Sequence, residues 1–207
     1  MAAPQAKLLT APLFEPKDWF RRMTSAELFP EAPEAPVEVD LGCGDGTFLV
    51  DLAAAHPDRR FLGIERLLGR AEKVLRKAAR RNLKNVAVFR VESAYAVTHL
   101  LPEGAITRLH LLCPDPWPKK RQQKNRLIQP AFVAAVHRLL KPGGEWLFKT
   151  DHDGYFDDAT ETVAGTALFE SLEWPDDAFP YPQTDFERQW LAEGRTIQRH
   201  RWRAVER

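Results

Sequence analysis

Val37-Glu38-Val39-Asp40-Leu41-Gly42-Cys43-Gly44-Asp45-Gly46-Thr47 is the stretch that decides the fold of this 207-residue chain. Val37 to Leu41 is a short, apolar-rich run. Three glycines at alternate positions follow at once, and Thr47 to Ala55 then repeats its apolar residues at helical spacing. Strand, tight glycine turn and helix in that order open a βαβ unit: glycine tolerates positive φ and lets a ligand approach the backbone, and the helix start offers unpaired N–H groups. A dinucleotide fingerprint, GxGxxG, would require glycine where this chain has Thr47; the spacing is GxGxG, with Asp40 just ahead of it.

The pattern continues outward. Arg60 to Glu65 predicts a second strand, ending in an acid 23 residues after Gly42. In Rossmann-type sheets a carboxylate at that distance accepts hydrogen bonds from both ribose hydroxyls; the other reading of Glu65 is the cap or first-turn acid of the next helix. The helix from Leu67 to about Arg81 puts Leu67, Ala71, Val74, Leu75 and Ala78 on a core side. Arg66, Arg70, Lys73, Lys77, Arg80 and Lys84 form a stripe on another. Like charges at i, i+4 destabilise a helix by a few tenths of a kcal/mol per pair, so the stripe reads either as RNA backbone contact or as a solvated face. Val86 to Val91 predicts a third strand, with Glu92-Ser93 at its carboxyl end. Glu92 there is either an acceptor for a ligand or a solvated loop acid.

Ile106 to Leu112 reads as an apolar strand followed by Pro114-Asp115-Pro116-Trp117-Pro118-Lys119-Lys120-Arg121, then Gln122, Gln123, Lys124, Asn125 and Arg126. Three prolines in five residues exclude helix and central strand, leaving a stiff exposed loop with one carboxylate, one indole and five cations. It falls at the carboxyl end of a strand, where open α/β sheets bind ligands. Trp117 either stacks on an extruded base or wedges the loop against the core; Lys119, Lys120, Arg121, Lys124 and Arg126 suit phosphates. A helix is expected over 127–140 and a strand over Trp146 to Thr150. Asp151-His152-Asp153 lacks further ligands at metal spacing, so no metal is expected, and Asp151 faces the crevice of Asp115. A helix over 155–165, an edge strand over 168–173 and a last strand over 196–205 complete the domain. Thr184-Asp185-Phe186-Glu187 lies on a loop after Pro180-Tyr181-Pro182.

Length favours one domain, 36–207, behind an irregular, partly helical arm, 1–35. There is no run of eighteen apolar residues and no basic-then-apolar leader at Met1 to Lys17, so a cytoplasmic protein without membrane attachment is expected. Two cysteines, Cys43 and Cys113, make no disulfide framework. The net charge of +1 conceals segregation. Residues 66–84 carry eight Lys/Arg against one acid, whereas 145–193 carry thirteen acids against two Lys/Arg. A basic face on a neutral chain can still hold a polyanion.

The acid followed by GxGxG resembles motif I of Rossmann-like S-adenosylmethionine-dependent methyltransferases. The ensemble resembles the bacterial tRNA (guanine-N7-)-methyltransferases: Pro-Asp-Pro-Trp-x-Lys at 114–119, the glycine loop at 40–46, Glu65, Phe-Lys-Thr-Asp at 148–151, and Thr-x-Phe-Glu at 184–187 with Gly194 and Ile197 following. The resemblance implies an α/β, Rossmann-like fold: a seven-stranded, mostly parallel sheet with helices on both faces and an antiparallel last strand. It implies S-adenosyl-L-methionine held by Asp40, Gly42, Gly44, Gly46, Glu65, Glu92 and Asp115, with Asp115 the catalytic residue. Lys119, Asp151, Thr184, Asp185, Phe186 and Glu187 are implied on the tRNA or its guanine, and the product is 7-methylguanosine at variable-loop position 46. A monomer or homodimer is expected. The chain departs from the family pattern at Asp40, where Glu is usual, at Glu92, where Asp or Asn is usual, and at Gln189-Trp190, where Arg-Gly is common. An amino-methyltransferase and an RNA-binding module with a degenerate pocket are the rival readings.

Overall fold

Parallel strands buried on both faces need apolar residues at nearly every position. β2, Val37–Leu41, is buried at all five positions yet departs from this rule, since Glu38 and Asp40 are two of the five. The computed structural model describes residues 13–206; the start of the arm, and with it most of the stretch from Met1 to Lys17, lies outside the described residues. In chain order the elements are β1 (Leu13–Phe14), α1 (Ser25–Leu28), β2, α2 (Thr47–Ala55), β3 (Arg60–Ile64), α3 (Leu68–Arg80), β4 (Val86–Phe89), and α4 (Ser93–Tyr95), which runs on into a π-helical turn at Ala96–Leu100. β5 (Ile106–Leu112), a 3₁₀ helix at Lys120–Asn125, α5 (Pro130–Leu139), β6 (Leu140–Thr150), α6 (Asp153–Thr166), β7 (Phe169–Leu172), α7 (Asp185–Ala192) and β8 (Gln198–Ala204) follow.

The strands form one sheet in the order β1-β4-β3-β2-β5-β6-β8-β7, parallel except where β8 runs antiparallel to both β6 and β7. Alternate residues feed two cores. Val39, Leu41, Leu62, Ile64, Leu109, Leu111, Trp146 and Phe148 join α5 and α6 on one face, and Phe61, Val86 and Val88 join α2 and α3 on the other. Strand order reverses between β2 and β5, which are hydrogen-bonded neighbours. The loops that leave their carboxyl ends, the glycine loop and the proline loop, therefore flank the switch point where such sheets bind ligands.

The sheet has eight strands against the seven expected. The addition is β1, two arm residues that pair with β4 as Leu13↔Val88 and Phe14↔Phe89, too short to leave a periodicity in the sequence. The arm is fastened further by Arg22, which donates to the carbonyls of Leu101 (2.8 Å) and Thr98 at the end of the π turn, and by the Trp19 ring against Phe89. α5 begins at Pro130 and not at 127, because a proline favours the first helical position, where its missing N–H is not needed. Thr184 to Glu187 are not loop: Thr184 caps α7 and the other three form its first turn. Among the described residues no helix is long and apolar enough to cross a membrane.

Candidate active site

Gly42, Gly44 and Gly46 all have positive φ, and the amides of Gly42 and Cys43 both donate to the Ile64 carbonyl (2.9 and 3.0 Å), tying the loop to the end of β3. Gly46 is the tightest position. A Cβ there would lie 2.6 Å from the Val74 methyls, so α3 can approach the loop only because glycine is present. The loop walls a cavity of about 260 Å³, whose lining includes Asp40, Gly42, Gly44, Thr47, Arg70 and Lys73 and, from the start of α7, Thr184, Asp185 and Phe186.

Asp40 is 3% exposed, and its side chain makes no hydrogen bond among the described residues. Burial, reinforced by the Glu65 carboxylate, raises its pKa to about 7. Glu65 is also buried and lies ahead of α3, not in its first turn; one of its oxygens accepts the N–H of Leu67, the residue just before the helix (2.8 Å), which leaves the second oxygen over. A bare carboxylate at a glycine-walled cavity suits a ligand rich in donors and positive charge, and S-adenosylmethionine, with a sulfonium, an ammonium and ribose hydroxyls, fits that donor set. Glu92 is different: it is exposed, does not line the cavity, and its two oxygens cap α4 by accepting the Ala94 and Tyr95 amides (2.9 and 2.8 Å).

The proline loop leaves β5 through Cys113 at φ 54° and reaches Trp117 at φ 44°, the left-handed region that bulky residues avoid. Asp115, Lys119, Lys120, Arg121 and Lys124 are exposed, Trp117 is half-buried, and Lys120 to Asn125 wind into the 3₁₀ helix. Asp151, at the end of β6, pairs with Arg195 (3.0 Å), and His152 caps α6 by accepting the Tyr155 N–H (3.1 Å). Burial, then the nearby Glu187 and Asp151 carboxylates, push the Cys113 thiol up to about 12, which keeps it protonated and inert.

Residues 34–200 match the family model described as "Putative methyltransferase". A tRNA (guanine-N(7)-)-methyltransferase of Geobacter metallireducens is 32% identical over 189 residues, covering 89% of this chain and 86% of that protein. Another, of Halorhodospira halophila, is 39% identical over 168 residues, covering 79% of this chain and 72% of that protein. The chain belongs to the tRNA (guanine-N(7)-)-methyltransferase family. Among solved structures, the 16S rRNA methyltransferase KamB superposes with a TM-score of 0.63 at 17% identity, covering 90% of this chain and 96% of that one, a likeness of fold.

Within this family frame, three sequence expectations change. Arg126 is not a phosphate contact: it is 3% exposed, donates to the Pro116 and Gly154 carbonyls (both 2.8 Å), and pairs with Asp158, fastening the proline loop to α6. Lys77 leaves the basic stripe to pair with Asp45 (2.6 Å) and donate to Thr47, while Arg70 and Lys73 line the cavity. Thr184, Asp185 and Phe186, expected on the substrate, lie at the glycine-loop cavity, where the Thr47 hydroxyl donates to Asp185 (2.7 Å).

Two groups escaped the sequence reading. Lys149, next to last in β6, forms a buried ion pair with Glu187 (2.6 Å). Glu38 on β2 and His110 on β5 make a chain to the Tyr181 hydroxyl (2.9 and 2.7 Å) that holds the segment leading into α7. Glu38 is held down to about 2: burial opposes its ionisation, but His110, Arg108 and Arg59 outweigh it. The carboxylate therefore takes the His110 Nε2–H, leaving Nδ1 to accept from Tyr181. Both groups carried one signal, an ionisable residue flanked by apolar or uncharged neighbours within a strand.

Proposed function

We propose that this chain transfers a methyl group from S-adenosylmethionine to N7 of guanosine 46 in the variable loop of tRNA, forming 7-methylguanosine. The observation that carries the proposal is the convergence, at the carboxyl ends of the central strands β2 and β5, of a cavity holding a bare buried carboxylate, Asp40, and a neighbouring loop with Asp115 and four exposed cations.

Asp40, the free oxygen of Glu65 and the amides of the glycine loop would hold the cofactor; Glu92 would reach adenine only with lone pairs left over from capping α4. S-adenosylmethionine, when bound, supplies an electrophilic methyl on a positively charged sulfur. Guanine N7 has an in-plane lone pair and no proton, so no general base is required and catalysis is alignment. Holding both reactants in line can supply about 7–11 kcal/mol. Asp115 and Glu187 accept from guanine N1–H and its exocyclic amine, fixing the ring, with Asp151 and Trp117 bordering it. A carboxylate about 4 Å from the ring favours the arriving positive charge by about 4 kcal/mol at an effective dielectric of about 20, more than the roughly 1–3 kcal/mol of a bidentate base contact. Lys119, Lys120, Arg121 and Lys124 bind phosphates.

Transfer of labelled methyl to bulk tRNA, mapped by borohydride–aniline cleavage at 7-methylguanosine, tests this. Label with a single cleavage site at position 46 is expected. A protein that binds S-adenosylmethionine yet labels no tRNA would sink the proposal.

A further inference from the structure

Lys149 sits between Phe148 and Thr150 on β6, 6% exposed, with its ammonium 2.6 Å from Glu187 Oε1. Its remaining surroundings include the rings of Tyr181 (5.0 Å) and Trp174 (5.5 Å), which satisfy a cation without competing for the carboxylate. Glu187 is fixed from the other side as well, since its backbone N–H donates to the Thr184 hydroxyl (3.0 Å). Its second oxygen, Oε2, is buried and has no hydrogen-bond partner among the described residues. A buried acceptor left open is costly, about 1–3 kcal/mol, unless a partner arrives in the working state. Glu187 lies one residue after Phe186, which lines the cavity, and close enough to the Cys113 turn at the head of the proline loop to perturb its thiol. Those two neighbours bring Glu187 next to the crevice between the two loops, although Glu187 is not itself part of the cavity lining.

We infer that Lys149 is a positioning residue: it holds Glu187 by Oε1 so that Oε2 stays free to accept an N–H of the target guanine. This rests on the proposal that Glu187 contacts guanine. Lysine suits the task because its ammonium meets the carboxylate as a point charge, through one oxygen. A guanidinium forks onto both oxygens of a carboxylate. Lys149→Arg therefore keeps the charge pair while closing the acceptor that the base needs.

The test is a double-mutant cycle of Lys149→Arg and Glu187→Gln, reading kcat and KM for tRNA, S-adenosylmethionine affinity by calorimetry, and thermal melting. Lys149→Arg is expected to melt within a few degrees of the wild type, with cofactor affinity and KM within about twofold, because tRNA affinity comes mainly from phosphates. Its kcat should fall about tenfold or more, the scale of one base contact. In the Glu187→Gln background the same change should lower kcat no further. If arginine proves too large and the melting temperature collapses, the cycle is read on Lys149→Met, which releases Oε1, with the same expected losses. A purely structural ion pair leaves kcat of Lys149→Arg at the wild-type value; that result, or losses that add in full to those of Glu187→Gln, overturns the inference. A wild type that forms no 7-methylguanosine sinks the underlying function too, whereas an active wild type with an indifferent Lys149→Arg sinks only the positioning role.

Discussion

The two loops at the switch point solve one geometric problem by opposite means. Each leaves the carboxyl end of a central parallel strand and must turn sharply. The glycine loop turns at Gly42, Gly44 and Gly46, where positive φ carries no steric penalty, and it is pinned by backbone hydrogen bonds to β3. The proline loop turns at Cys113 and Trp117, where the left-handed region costs roughly 1–2 kcal/mol per residue, and it is fixed from outside by Arg126. One is a preformed backbone cradle beside buried carboxylates; the other is a strained platform that displays charge to solvent. Such strain persists where surrounding structure overdetermines it, typically at sites that bind or react.

Breaking the electrostatics of the platform should have the largest effect. Changing Lys119, Lys120, Arg121 and Lys124 together to Ala should weaken tRNA binding by about 10²-fold or more at low salt and reduce the salt slope by about 3 to 4, with S-adenosylmethionine affinity unchanged in calorimetry. An unchanged slope would move the RNA to another face. Gly46→Ala strikes the cradle. The left-handed backbone and the 2.6 Å approach to Val74 together should remove about 3 kcal/mol, seen as a fall of about 6–12 °C in melting temperature with loss of cofactor binding.

Arg126→Met should cost about 2 kcal/mol, below the 3–5 of a fully buried pair, because Asp158 is 54% exposed and water can replace the guanidinium there. It should lower kcat while sparing cofactor affinity, since only the platform loosens; equal loss of both would merge the two loops into one unit. The smallest effect concerns Asp40. Its folded pKa of about 7 lies above the unfolded value, so its unfavourable contribution to folding grows as pH rises from about 4 to about 7 and is constant above. Its ionised form is the one that attracts a cationic ligand. S-adenosylmethionine affinity should therefore rise by up to tenfold per pH unit below about 7 and then level off, and Asp40→Asn should flatten the titration. A wild-type affinity independent of pH would separate Asp40 from the cofactor.

What was legible in the sequence was local. Strand, GxGxG turn, helix and the acid closing the next strand lie within about thirty residues, and the proline loop follows its strand directly, so spacing alone carried them. What was not legible depends on partners far along the chain. Arg126 looks like its four neighbouring cations until Asp158, 32 residues on, draws it inside. Lys149 finds Glu187 only once α7 folds over β6. The helical start at Thr184 did carry a local signal, since a Ser/Thr three residues ahead of a Glu marks a helix start, but Pro180 and Pro182 just upstream made the segment read as loop. Glu187 then gives its side chain to Lys149, and only the Thr184 half of the capping pair forms.

The central claim, alignment of an unprotonated N7 over a preformed cofactor cradle, is tested most directly with tRNA carrying 7-deazaguanosine at position 46, which keeps the Watson–Crick edge and every phosphate but lacks the nucleophile. The wild-type protein should bind this tRNA with unchanged affinity and transfer no methyl to it in a single-turnover assay, while unmodified tRNA is methylated fully. Methylation of the 7-deaza tRNA at a rate comparable with guanosine would contradict the account and place the accepting atom elsewhere.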